Sequence, residues 1–249
     1  MRFRVRSQCT FAVIAKPCDI GAVRRMASID ENVRELMRYC LTLACGGASD
    51  LIKSVDVLSA LGLAEGDVSL FRYRGHGNPG PTRIETKDGR NFELTYEDMW
   101  GREVGWRIQP RCKVCPDAVG EAADIVSADC WPGGSPEGED AGFNAVFART
   151  EAGKGLFERA VAAGALTLVR PIGFEDLSLF QPHQVRKKQA LRARFEGMNE
   201  AGMAVPRVER LRLDEIAATN DDAINERERE GAMERARNGR LGEPKPVPG

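Results

Sequence analysis

The chain has 249 residues, 36 basic and 37 acidic side chains, a formal net charge of -1 and 42% hydrophobic residues. That length suffices for one large domain or two small ones with a sizeable core, and the charge balance excludes a general attraction to nucleic acid or to an anionic membrane. No apolar run is long enough to cross a bilayer. The stretch Phe11 to Ala15, behind the basic Met1 to Arg6, is too short for a signal-peptide core, so a cytoplasmic protein is expected. In that compartment its seven cysteines serve as reduced thiols or ligands rather than disulfides.

Phe11 to Ala15 reads as a short buried strand that runs into Pro17-Cys18-Asp19. Ile20 to Met26 follows as a helix that Asp19 can cap, which places Cys18 at a helix N-terminus where thiolate is favoured. Glu31 to Tyr39 is a second helix, and Leu41 to Ala44 a second strand ending at Cys45. Ser49 caps a helix reaching Leu61, with Leu51, Ile52, Val55, Leu58 and Leu61 on one stripe. Val68 to Tyr73 is a strand, and Thr82 to Thr86 and Asn91 to Thr95 form a hairpin around Asp88-Gly89. Tyr96 to Val104 suggests a short helix, Ala123 to Asp129 a strand, and Pro132 to Gly142 a loop. Asn144 to Thr150 is a strand, Lys154 to Ala163 a helix, Leu166 to Val169 a strand and Gln181 to Ala201 a long helix. Strands interleaved with helices plus one antiparallel hairpin argue for an α/β fold (or α+β) with a mixed sheet and flanking helices. The main domain is expected over 1–213. Beyond it, 214–249 is a charged, proline-rich tail: Ile224 to Arg240 lacks an apolar face and reads as a solvated helix before a disordered end.

Three cysteine motifs carry the chemistry: Lys16-Pro17-Cys18-Asp19-Ile20, Ala44-Cys45-Gly46-Gly47, and Arg111-Cys112-Lys113-Val114-Cys115-Pro116-Asp117. Two thiolates in a C-x-x-C turn aim at one metal or cluster, and the flanking Pro110 and Pro116 stiffen that turn. Four sulfurs from three loops suit a 4Fe-4S cluster or a tetrahedral zinc. Because the two remaining sulfurs are isolated singles rather than a second hook, a cluster assembled from remote loops fits better. Cys9 and Cys40 lack a turn context and read as small core hydrophobes. A thiol enzyme using Cys18 as nucleophile is a further alternative.

Gly75-His76-Gly77-Asn78-Pro79-Gly80 matches G-x-G-x-x-G by letters, but the prolines and the following strand exclude a helix-opening dinucleotide fingerprint. It is either an ordinary turn or a loop whose bare backbone, with Arg72 and Arg74, approaches a phosphate or a flat cofactor. His183 reads as structural, and Asp117 and Glu121 as a capped turn rather than an acid–base pair. Asp129-Cys130-Trp131 and Arg149-Thr150 end strands, where site residues of α/β sheets lie.

Taken in order, these pieces resemble the coenzyme F420 hydrogenase/dehydrogenase beta-subunit family. The resemblance rests on Lys16 to Ile20 with Arg24 and Arg25, Cys45 to Ser49, Arg72 to Gly75 with Pro79-Gly80, Tyr96 and Trp100, and Arg111 to Asp117. Ala123 to Ile125 with Asp129 and Trp131, and Asn144 with Arg149-Thr150, complete it over Phe11 to Pro171. It implies an iron-sulfur flavoprotein oxidoreductase in which Cys18, Cys45, Cys112 and Cys115 hold one 4Fe-4S cluster. FAD then lies near Lys16, Arg72, Arg74, Gly75, His76, Gly77, Asp129, Trp131 and Arg149. The implied activity is electron transfer between FAD, the cluster and a deazaflavin (coenzyme F420) or ferredoxin-type partner. The partner is a hydrogenase-, dehydrogenase- or ferredoxin-type protein or subunit. The alternatives are a ferredoxin-dependent reductase of a chlorophyll-type pigment and a non-catalytic zinc module. Family members usually begin with a further cysteine-rich segment, so the resemblance implies an N-terminally short form.

Overall fold

The computed structural model describes residues 9–101, 108–139 and 142–242. Its elements run β1 (Phe11–Ile14), α1 (Pro17–Ala27), α2 (Glu31–Leu36), β2 (Met37–Leu43), α3 (Leu51–Ala60), β3 (Val68–Arg72), β4 (Thr82–Thr86) and β5 (Asn91–Leu94). The one-turn α4 (Pro110–Lys113), β6 (Ile125–Asp129), β7 (Asn144–Ala148), α5 (Glu151–Ala162) and α6 (Phe174–Phe180) follow. The chain then enters α7 (Pro182–Glu200), α8 (Leu213–Ala217) and α9 (Asp222–Arg237).

Among the described residues the strands form two sheets. The larger has the order β1-β2-β6-β7, with the first three strands parallel and β7 antiparallel at its edge. The smaller is the antiparallel meander β3-β4-β5, whose β4–β5 hairpin closes at Asp88-Gly89, where Gly89 adopts φ 88. This is the expected α/β fold with a mixed sheet and flanking helices. The core of the large sheet joins Ile20 of α1 to Cys40, Val126, Ala128 and Phe147. Asp124 locks its amino end: its carboxylate accepts from Cys40 N (2.7 Å), Thr150 Oγ1 (2.7 Å) and Arg24 Nη2 (2.8 Å). A buried carboxylate with three donors is tolerated because each lone pair it takes from water is replaced. The ion pair also fixes α1, and therefore Cys18, against the sheet.

Several elements differ from the sequence expectation. Helix α1 starts at Pro17 rather than Ile20, with Lys16 rather than Asp19 at the cap position. Asp19 sits inside the first turn instead. Strand β2 begins at Met37, because α2 passes into it without a glycine or proline to mark the change. Asp50, not Ser49, caps α3. Only the second half of its expected stripe is buried: Leu58 is buried and Leu61 packs on the small-sheet core, whereas Leu51 is 84% exposed, Ile52 and Val55 are exposed too, and Lys53 is buried instead. The Lys53 ammonium lies 3.9 Å from the centre of the Trp100 ring, a cation–π contact that turns the helix. Leu166 to Val169 forms no strand; Leu166, Leu168 and Val169 lie exposed across a cleft from β7. The helix expected from Tyr96 is a π-helix over Glu97–Gly101, and its remainder, 102–104, lies outside the described residues.

The charged C-terminal helix is not a solvated one. Helix α9 packs along α7, with Ala232 buried against Leu191, Phe195 and Met198. Small residues make the contact: a Cβ on Gly197 would stand 2.0 Å from the Arg229 carbonyl oxygen. Arg194 of α7 pairs with Glu228 of α9 at 2.9 Å. No helix of the described residues is long and apolar enough to cross a membrane.

Candidate functional site

Because β1, β2 and β6 are parallel, their carboxyl ends share one edge, where ligands of open α/β sheets bind. Lys16 to Cys18 follow β1, Ala44-Cys45 follow β2, and Asp129 ends β6 just before Trp131. Backbone bonds Ala15 N to Leu41 O and Ala44 N to Ser127 O bring these ends together. Cys18 is exposed in the first turn of α1. Cys45 donates its N–H to Ala118 O at 2.9 Å. The C-x-x-C hook docks on the Cys45 loop: Ser49 bridges Ile108, Gln109 N donates to Ala48 O, and Ala48 N lies 3.3 Å from Cys112 Sγ. Gly47 (φ 141) allows this approach, since a Cβ there would fall 2.5 Å from Ile108 and 3.4 Å from Cys112 Cβ.

The thiols of these loops feel one another. Burial pushes the Cys45 thiol up; the thiols of Cys112 and Cys18 push it further, while the Gly47 N–H and Lys187 draw it down. Burial likewise raises the Cys115 thiol, against the Asp117 N–H and Lys187, with Asp117 and Cys18 adding to the rise. Among the described residues, however, no three His, Cys, Asp or Glu side chains stand close enough to hold one metal ion. Asp117 accepts from Glu121 N and Ala122 N, the capped turn expected from sequence. Cys40 is fully buried, as expected, with its Sγ 3.3 Å from Met37 Sδ. Cys9 is exposed ahead of β1, not a core residue, because no element of the described residues covers it.

A second group forms where the β6 end meets the small sheet. The Arg74 guanidinium pairs with Asp129 at 3.1 Å and lies 4.9 Å from the Trp131 ring centre and 5.9 Å from that of Tyr96. The two rings meet edge to face at 5.4 Å, and Tyr96 continues to Trp100 at 6.4 Å. Arg72 Nε and Trp131 Nε1 are buried without a hydrogen-bond partner among the described residues. The glycine loop is tightly wound: His76 adopts φ 58, and Gly75, Gly77 and Gly80 all have positive φ. Glu139 closes it, accepting from Gly80 N at 2.9 Å and standing where a Cβ on Gly77 would be. Lys16 is half exposed at the β1 end and 3.9 Å from Asp19. Arg149 lies elsewhere. It follows β7 at the amino end of the sheet, donating its N–H to Asp124 O and Nη2 to Val119 O.

Sequence reasoning missed what α7 does at this site. Gln181 donates to Asp129 O (2.9 Å), Lys187 to Gly46 O (2.8 Å), Lys188 to Pro116 O (3.2 Å) and Arg194 to Lys113 O (2.8 Å). Each acceptor is a backbone carbonyl at the site edge. The visible signal was the density of cations in Arg186-Lys187-Lys188 at the start of an otherwise ordinary helix. Glu139 carried no signal in its acidic loop.

The fold and this edge define an α/β protein whose cysteine-bearing loops and arginine–aromatic cluster share the carboxyl ends of a parallel sheet. Residues 9–172 match the family described as the C terminus of the coenzyme F420 hydrogenase/dehydrogenase beta subunit, and the chain belongs to that family. It is 26% identical over 129 residues to the coenzyme F420 hydrogenase subunit beta of Methanothermobacter thermautotrophicus, covering 50% of this chain and 43% of that one. It is 26% identical over 161 residues to the F420-dependent formate dehydrogenase subunit beta of Methanocaldococcus jannaschii, covering 64% of this chain and 39% of that one. The chain thus spans less than half the length of these two relatives. A chain of the F420-reducing [NiFe] hydrogenase complex from Methanosarcina barkeri shares the fold, with a TM-score of 0.50 and 21% identity over 79% of this chain and 65% of that one.

Proposed function

We propose that this chain is an iron-sulfur flavoprotein oxidoreductase segment that passes electrons between FAD, a 4Fe-4S cluster and a deazaflavin or ferredoxin-type partner. The carrying observation is the meeting of three cysteine loops at one sheet edge, with Cys45 and Cys112 joined through the 45–48 backbone. Cys18, Cys45, Cys112 and Cys115 would hold the cluster. One C-x-x-C hook and two isolated cysteines on separate loops suit a cluster better than a structural zinc, which takes two paired hooks.

FAD takes up two electrons together and can release them singly, and a cluster carries one at a time, which is the chemistry the two groups would supply together when bound. The chain's own residues do the rest. Lys16, Arg72 and Arg74 offer cations to a pyrophosphate, and the glycine loop offers bare backbone beside them. The unpaired Arg72 Nε and Trp131 Nε1 are buried donors that a polar ligand would satisfy. Tyr96 and the buried Trp131 form an apolar backing that would help keep water from a flat ring system. Coenzyme F420 enters this reading from the names of the relatives, and a hydrogenase- or dehydrogenase-type subunit is the partner they suggest. The test is the content of protein purified without oxygen: iron and flavin bound together support the reading. Protein that holds neither after reconstitution contradicts it.

A further inference from the structure

Helix α7 touches both the Cys45 loop and the C-x-x-C hook, yet lies beyond the residues that match the family. Its side chains reach the hook's backbone at two points, Lys113 between the two cysteines and Pro116 after them. They also reach Gly46, the residue after Cys45. Lys187 is the member that holds the Cys45 loop. Its ammonium donates to Gly46 O at 2.8 Å, and that loop in turn presents Ala48 N to Cys112 Sγ at 3.3 Å. Burial pushes the lysine down, and the sulfurs of Cys115, Cys112 and Cys45 hold it up.

We infer that α7 is the clasp that sets the spacing of the Cys45 loop and the hook, and that Lys187 is a positioning residue whose ammonium holds the backbone beside Cys45. This rests on the reading of those cysteines as one binding site. Four thiolates around a divalent ion or a cluster leave a net negative charge. A half-buried ammonium beside them offsets it more strongly than one in water. Helix α9 serves the same end indirectly, because Glu228 orients the Arg194 that holds Lys113.

The experiment is an anaerobic titration of the metal-free chain with Cd2+ alone, read by thiolate-to-cadmium absorbance. Lys187→Met removes the charge and keeps most of the stem; Lys187→Arg keeps the charge. The wild type should develop the band, Lys187→Met should bind about 10- to 100-fold more weakly, and Lys187→Arg should recover most of the loss. Thermal melts of the same proteins separate folding from binding, and Lys187→Gln replaces Lys187→Met if the latter does not fold. Equal affinity in the charge-removing variant and the wild type overturns the role of Lys187. A wild type without any thiolate band overturns the cysteine site itself, and the inference falls with it.

Discussion

Substituting Gly197 by alanine distinguishes a docked C-terminal helix from a solvated one. Gly197 lies inside α7, where helix propensity alone makes alanine better by about 1 kcal/mol. The new Cβ would fall 2.0 Å from the Arg229 carbonyl oxygen, 2.9 Å from its carbon and 3.0 Å from Met233 N. These are backbone atoms of α9, so the helices must part and loosen the packing of Ala232 against Phe195 and Met198. Overpacking of this kind costs about 3 kcal/mol at its upper range. Net destabilisation of about 2 kcal/mol follows, a fall in Tm of about 4–8 °C for a chain of this size. Gly231→Ala is the control: its Cβ meets only the flexible end of Arg235, at 3.2 Å. That variant should gain up to about 1 kcal/mol. Melting curves followed by circular dichroism read both. A rise in Tm for Gly197→Ala comparable to that of the control would refute the packing of α9 on α7.

Asp124→Asn should cost about 2–3 kcal/mol in urea unfolding, since it strips Arg24 of its counter-charge and turns an amide toward donors that need an acceptor. Unchanged stability would mean that Asp124 does not organise the sheet end. In the metal-free chain, Cys18 should react with an alkylating agent at once and Cys40 only on unfolding, because one is exposed and the other buried. Prompt labelling of Cys40 would contradict its place in the core. Burial also raises the Cys40 thiol, against Arg24 and with Asp124. A raised thiol pKa stabilises the fold fully below the ordinary thiol value of about 8.5 and loses that contribution as pH climbs through the folded-state value. Replacing Cys40 by alanine should therefore flatten the alkaline fall in urea midpoint, and an identical fall in both proteins would count against it. Arg74→Ala should weaken flavin retention, read as the flavin-to-protein ratio after desalting; an unchanged ratio would remove Arg74 from the site.

The turn chemistry around the cysteines was legible because glycine and proline fix local backbone: Pro17, Gly47, Pro110 and Pro116 all sit where the loops bend. The positions of β1, β6, β7 and the β4–β5 hairpin along the chain were legible for the same reason. What escaped were contacts made by residues without a periodic signature. Gly197 and Ala232 join α7 to α9 through smallness, which an apolar-stripe reading does not register. The α3 stripe is buried only at Leu58 and Leu61, while Leu51, Ile52 and Val55 turn outward and Lys53 is buried over Trp100. Leu166 to Val169 has strand-forming residues, but a cleft lies between it and β7. Pairings across more than fifty residues, such as Arg74 with Asp129 and Lys187 with Gly46, follow from topology and leave no local mark.

Cysteine footprinting after anaerobic iron and sulfide loading tests the convergence most directly. The loaded chain should show Cys18, Cys45, Cys112 and Cys115 withdrawn from alkylation together, with about four irons bound, while Cys9 stays reactive. Cys18 labelling at the same rate with and without iron would contradict the account.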